Sequence, residues 1–201
     1  MDLTLDNIWK RYTSGWVLKD VSTHISHGQH VSIIGLNGSG KSTLLQIISG
    51  YLSSSKGKII YHHEGKNIDR DEIYKYCAIT AAYAELDEEL SIAELFNHYK
   101  IFKPLLLDNL DDFLELTDFV KLKNKQIRHF SSGMKQRLSL GMAFIMDVPI
   151  LLMDEPTSFL DESKKAWFEE MMNRYTKDKT VIIASNDERD IKTCHAAIEL
   201  N

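Results

Sequence analysis

The sequence feature that most constrains the fold is a glycine-rich segment that links a short apolar run to a candidate helix. The apolar run covers residues 31–34, and the segment after it, residues 35–43, reads GLNGSGKST. Its glycines permit positive φ values, so consecutive backbone N–H groups can turn inward and surround an anion. A helix that begins near Lys41 adds the positive end of its dipole at the same place. The segment is therefore predicted to be a P-loop, which binds the phosphates of a nucleotide.

The residue types within this loop predict separate roles in binding a nucleotide and Mg²⁺. The Lys41 ammonium is expected to reach the β- and γ-phosphates, and the Ser42 hydroxyl is expected to coordinate Mg²⁺. Thr43 is expected to lie near the α-phosphate. The candidate nucleotide-binding residues of the loop are Gly35, Leu36, Asn37, Gly38, Ser39, Gly40, Lys41, Ser42 and Thr43.

Composition is typical of a soluble globular protein and limits the possible partners. The chain has 201 residues, of which 43% are hydrophobic and 26% are charged, enough for one domain with its own core. No apolar run approaches the ~20 residues of a membrane-spanning helix, and the first residues do not resemble a signal peptide. We therefore expect a cytoplasmic protein. The net charge of −5 argues against nonspecific binding to nucleic acid, which requires a basic surface.

A second motif follows an apolar run at residues 149–153, which is typical of a buried parallel strand. The run ends in Asp154 and Glu155. Asp154 is expected to hold Mg²⁺ through water, beside Ser42. Glu155, one residue further on, could orient and deprotonate an attacking water molecule. Together with a P-loop in one small chain, this pair predicts hydrolysis of the nucleotide.

Two further features each allow two interpretations. Tyr12 and Trp16 lie in a predicted turn, where an aromatic ring could stack on an adenine or cover the edge of the core. Residues 131–133 form a Ser-Ser-Gly turn that opens a helix. This turn is either an ordinary helix N-terminus with a serine cap, or a second anion site that serves the nucleotide held by another subunit.

The order of these motifs resembles that of the nucleotide-binding subunit of ABC transporters, along essentially the whole chain. Residues 131–137 look like the signature motif of that family, with Ser132 where glycine is usual and Met134 where glutamine is usual. Residues 153–158 resemble its Walker B strand and exit, and residues 158–161 resemble its D-loop.

The resemblance implies an α/β fold with a P-loop NTPase (RecA-like) core, an antiparallel β subdomain and an inserted helical lobe. We expect the lobe at about residues 82–146, and the core with its β subdomain at about residues 1–81 and 147–201. The resemblance also assigns Tyr12 to adenine stacking.

The resemblance further implies a head-to-tail dimer, of identical or different subunits, that encloses two ATP molecules. In such a dimer Ser131 and Gly133 of one copy face the P-loop of the other. A separate transmembrane permease would dock on the helical lobe and hold the protein at the inner face of the membrane.

Two further positions depart from the family pattern, at contacts with the metal, water or γ-phosphate. Ala82 stands where a glutamine usually contacts metal and water, and Asn186 stands where a histidine usually contacts the γ-phosphate. Asparagine is shorter but still has an amide donor. Because the loss of one positioned contact costs ~2–4 kcal/mol, slow but real hydrolysis is expected. The alternatives are an ATP sensor with little turnover and a soluble ABC-type ATPase that acts on nucleic acid.

Overall fold

The computed structural model describes residues 1–81 and 86–200. These residues form nine strands and six α-helices. The strands are β1 (Asp2–Tyr12), β2 (Gly15–Ile25), β3 (His30–Gly35), β4 (Lys56–His63), β5 (Lys66–Ile68), β6 (Cys77–Thr80), β7 (Ile150–Asp154), β8 (Thr180–Ala184) and β9 (Ala196–Leu200). The helices are α1 (Lys41–Ile48), α2 (Ile92–Phe102), α3 (Leu110–Leu116), α4 (Ser132–Ile145), α5 (Glu162–Tyr175) and α6 (Glu188–Lys192). Within this part of the chain, no helix is long and apolar enough to cross a membrane.

The first sheet is antiparallel and has the strand order β2-β1-β4-β5. Leu3 and Leu5 of β1 are buried and alternate with more exposed neighbours, as expected for a strand with one face on the core. The pairing of β1 with β2 shifts register after Leu5, and Ile8 then returns to the buried face. The turn between β1 and β2 is shorter than predicted, and both Tyr12 and Trp16 lie on strands.

The second sheet is parallel and has the strand order β6-β7-β8-β3-β9. All five residues of β8 are buried, because helices cover both faces of this sheet. Alternate residues of its central strands belong to two different cores: Leu152 and Ile182 pack with α1 on one face, whereas Leu151 and Ile183 pack with α4 and α5 on the other. All five strands point the same way, so the segments after them meet at one edge.

The region between β6 and β7 is helical in the described residues. It holds α2, α3 and α4 and contributes no strand to either sheet over residues 86–149. A Ser-x-x-Glu capping box fixes the start of α2: the Ser91 hydroxyl accepts from the Glu94 N–H (3.3 Å), and the Glu94 carboxylate accepts from the Ser91 N–H (2.8 Å). The division of the chain at residues 82 and 146 stays a prediction.

Candidate functional site

The glycine-rich loop joins the end of β3 to the start of α1, as the sequence predicted. Gly38 and Gly40 have φ values of 85° and 100°, in the left-handed region that favours glycine. A Cβ atom on Gly40 would approach the side chains of Val17 and Leu18 to 2.8 Å. Glycine is therefore required there both by the backbone turn and by the close packing of β2 against the loop.

The Lys41 side chain is held in place by hydrogen bonds to the backbone of the loop. Its ammonium donates to the carbonyl oxygens of Gly35 (2.9 Å) and Leu36 (3.3 Å), and the residue is only 7% exposed. The cation therefore lies on the loop at the start of α1. A positive charge and a cluster of N–H donors at one helix start are the components of a phosphate site.

Asp154, the last residue of β7, lies beside the first turn of α1. Burial raises the pKa of its carboxyl group, while a hydrogen bond with Ser42 and the charge of Lys41 act in the opposite direction. A hydroxyl and a carboxylate oxygen are hard ligands of the kind Mg²⁺ takes, together with phosphate oxygens and water. The donor set therefore fits Mg²⁺, although no cluster of three or more His, Cys, Asp or Glu side chains able to hold a metal occurs in residues 1–81 and 86–200.

Glu155 follows Asp154 in an unusual backbone conformation. Its φ is 48°, which is uncommon for a residue with a side chain. Its N–H donates to the carbonyl oxygen of Ala184 at the end of β8 (2.8 Å), which fixes the turn. The Ser185 hydroxyl lies 3.3 Å from Glu155 Oε2. Backbone strain of this kind persists where surrounding contacts fix it, and it is common at functional sites.

Asn186 is joined to the P-loop. Its side-chain amide donates to Asn37 Oδ1 (3.2 Å), and both residues line a cleft beside Gly35 and Leu36. The ends of β3, β7 and β8 therefore bring the P-loop, the Asp154–Glu155 pair and Asn186 to one edge of the parallel sheet. Ala82, the other departure from the family pattern, lies outside the described residues.

The two aromatic residues near the first hairpin have different surroundings. Trp16 packs edge-on against Trp9, with ring centroids 5.3 Å apart, and the Lys56 ammonium lies 5.4 Å from the Trp16 ring. Trp16 therefore covers the strand edge. The Tyr12 ring is 41% exposed with Lys10 beside it, so a face remains open, and stacking of Tyr12 on an adenine stays a prediction.

The Ser-Ser-Gly turn has an interaction within its own chain. The Ser131 hydroxyl caps α4 by accepting from the Met134 N–H (3.3 Å), as in an ordinary helix start. A Cβ atom on Gly133 would come within 2.8 Å of the Phe159 carbonyl oxygen, so glycine allows α4 to approach the loop after Glu155. Contacts of Ser131 and Gly133 with a second copy stay a prediction.

Two residues beside Glu155 were missed by the sequence reasoning. Ser185 follows β8 directly and is fully buried, and Asp190 on α6 is buried with its carboxylate 2.7 Å from the Ser185 hydroxyl. The sequence signal was weak, because an aspartate on a short helix is normally exposed. Only the folding of α6 against the end of β8 brings it inside.

Comparison with known proteins gives consistent results. The sequence profile of the family described as ABC transporter matches residues 18–158. A probable metal transport system ATP-binding protein of Thermotoga maritima is 31% identical over 97% of this chain and 79% of its own length. The lantibiotic transport ATP-binding protein SrtF of Streptococcus pyogenes is 30% identical over 92% and 79%. The teichoic acids export ATP-binding protein TagH of Lactococcus lactis is 31% identical, and this chain spans only 39% of its length.

Solved structures give the same result for the fold. The ATP-binding subunit of an ABC transporter superimposes with a TM-score of 0.88 at 25% identity, over 100% of this chain and 86% of that one. A bacterial ABC transporter cassette solved as a dimer has a TM-score of 0.84 at 26% identity, over 98% and 94%. The predicted fold class is therefore confirmed.

Proposed function

The chain belongs to the ABC transporter family of ATP-binding proteins, and on that premise we propose that it binds and hydrolyses ATP to power a transporter. The observation that supports this most directly is the convergence of three strand ends on one site. The P-loop follows β3, the Asp154–Glu155 pair ends β7, and Asn186 follows β8. In this arrangement a triphosphate on the P-loop would lie within reach of a metal ligand and a base, which supports the proposal.

The side chains divide the work between binding and chemistry. The loop N–H groups and Lys41 bind the β- and γ-phosphates, and Ser42 and Asp154 would hold Mg²⁺, which would neutralise charge on the phosphate oxygens. Glu155 orients a water molecule and accepts its proton. Asn186 contributes an amide donor on the γ-phosphate side, a position supported by its bond to Asn37.

We further propose that two copies, or this chain and a related one, close head to tail on ATP. Ser131 and Gly133 at the start of α4 would then complete the site of the partner, and Tyr12 would stack on the adenine. The dimeric state of a solved relative supports this assembly. A transmembrane permease would bind the helical region and hold the protein at the inner face of the membrane, as the transport names of the relatives suggest.

Lys41→Ala tests nucleotide binding. We expect ATP to bind about ten- to a hundredfold more weakly, because the variant loses hydrogen bonds from a charged donor to the phosphates. Equilibrium binding of a labelled ATP to the purified chain, with phosphate release measured in parallel, checks this. Lys58→Ala, the same change at an exposed position of β4, is the control and should bind ATP normally. Equal affinities for both variants would contradict the proposed site.

Asn186→Ala tests whether the departure from the family pattern still contributes a contact. We expect the rate of phosphate release at saturating ATP to fall at least about thirtyfold, because the loss of one positioned donor costs about 2–4 kcal/mol. Asn173→Ala, at an exposed position of α5, is the matched control. An unchanged rate would show that Asn186 has no part in hydrolysis. Tight ATP binding with no phosphate release by the unmodified chain would favour the sensor alternative instead.

A further inference from the structure

Behind Glu155 lies a second carboxylate that none of the roles above uses. Ser185 Oγ is 2.7 Å from Asp190 Oδ2 and 3.3 Å from Glu155 Oε2, so one hydroxyl lies between two acidic side chains. The same oxygen accepts from the Asp187 N–H at 3.0 Å, which fixes its place. We propose that Asp190 is a positioning residue for Glu155 and acts through the Ser185 hydroxyl. This inference rests on the role proposed for Glu155.

A serine hydroxyl has one proton, so it can donate to only one of the two carboxylates at a time. The contact between Ser185 and Asp190 (2.7 Å) is the shorter of the two and matches a charge-assisted O–H···O⁻ bond. Ser185 therefore donates to Asp190 when the Asp190 carboxyl group is ionised. When Asp190 is protonated, its own O–H donates to Ser185, whose proton then turns to Glu155. The protonation state of Asp190 therefore decides whether Glu155 receives a hydrogen bond from Ser185.

Because of its surroundings, the Asp190 carboxyl group changes its protonation state just below neutral pH. The residue is fully buried, and its Oδ1 atom has no hydrogen-bond partner among the described residues. Burial raises the pKa of the Asp190 carboxyl to about 6, and the Asp187 and Glu155 charges act in the same direction. The Ser185 hydroxyl lowers the pKa, as does the Thr157 hydroxyl, which approaches without meeting strict hydrogen-bond geometry.

The other charged and ionisable groups around Asp190 come from three elements and are mostly paired. Lys165 on α5 binds the Asp187 carboxylate (2.8 Å), and Arg189 binds Glu162 (2.6 Å). The Cys194 thiol lies 3.8 Å from the Asp190 carbonyl oxygen, and burial raises its pKa to about 11, so it stays neutral. None of these groups gives Asp190 a direct ion pair in the described part of the chain.

The expected consequence is a change in the hydrogen bonding of Glu155 with pH. A carboxylate oxygen that accepts from Ser185 has less capacity to accept from the attacking water. Above about pH 6, Ser185 donates to Asp190 and leaves Glu155 Oε2 to accept from water; below that pH, Ser185 donates to Glu155 Oε2. The rate of ATP hydrolysis should therefore fall as the pH drops through this range, by about tenfold, the value of one hydrogen bond to a charged group.

The test is the pH profile of kcat at saturating Mg-ATP for the unmodified chain and two variants. We expect a step near pH 6 in the unmodified chain and none in Ser185→Ala or Asp190→Asn, because each removes one component of the switch. Glu188→Gln removes an exposed charge from the same helix and should keep the step. A purely structural role for Asp190 would lower kcat equally at every pH and leave the step in place.

Further measurements distinguish a failure of this inference from a failure of the proposed function and from misfolding. If Glu155→Gln is inactive but the step persists in both Ser185→Ala and Asp190→Asn, only the role of Asp190 is overturned. If Glu155→Gln hydrolyses ATP at the normal rate, the proposed function fails first. Asp190 has a raised pKa, so its contribution to stability is fully present at low pH and is lost as the pH rises through about 6. Asp190→Asn should therefore raise the urea midpoint at pH 7.5; a lower midpoint would overturn the inference.

Discussion

Glu155→Gln is expected to lower the rate of phosphate release at least about a hundredfold while ATP binding is retained. Glutamine has the same shape as glutamate but cannot accept a proton from water, and general-base catalysis contributes about 10²- to 10⁴-fold. The backbone should not change, because the Glu155 N–H still donates to the Ala184 carbonyl oxygen. Phosphate release under steady-state conditions measures the loss.

The same variant should also lengthen the life of the closed dimer. If ATP holds two copies together and is not cleaved, the dimer has no route to reopen except the release of ATP. Size-exclusion chromatography with Mg-ATP should therefore show a dimer for Glu155→Gln at concentrations where the unmodified chain is mainly monomeric. Glu169→Gln, at an exposed position of α5, is the control. Hydrolysis by Glu155→Gln at the normal rate would remove Glu155 from its proposed role.

The parts of the site that the sequence predicted are those that depend on local chain geometry. The P-loop needs only a strand, a glycine-rich turn and a helix in succession, and β3, Gly38, Gly40 and α1 provide them. Asp154 and Glu155 could be placed because an apolar run that ends in acid is typical of a buried parallel strand. Each of the two motifs can be recognised from about ten consecutive residues.

The parts that the sequence could not predict depend on the packing of distant segments. The strand order β6-β7-β8-β3-β9 differs from the chain order, so the nearness of β3 to β8 is not visible in any local pattern. The burial of Asp190 has the same origin, because α6 folds back onto the segment after β8. The two strands of the first hairpin extend further than the sequence predicted, because Tyr12 and Trp16 are compatible with either a turn or a strand edge.

Phe144→Ala should cause a large loss of stability, because this ring packs the last helix of the helical region against α5. Phe144 near the end of α4 is fully buried and packs against two aromatic residues of α5: its centroid lies 6.3 Å from that of Trp167 and 5.8 Å from that of Phe168. Removal of a buried phenylalanine ring costs about 3–5 kcal/mol, through lost burial and the cavity left behind. The total free energy of unfolding of a domain of this kind is about 5–15 kcal/mol.

The matched control is Phe102→Ala at the end of α2, where the same ring is 69% exposed. That variant should change the free energy of unfolding by no more than about 0.5 kcal/mol, as is usual for exposed positions. Urea unfolding of both variants, followed by circular dichroism, gives the two values directly. If Phe144→Ala were as mild as Phe102→Ala, the packing of α4 on α5 would contribute little to the free energy of unfolding.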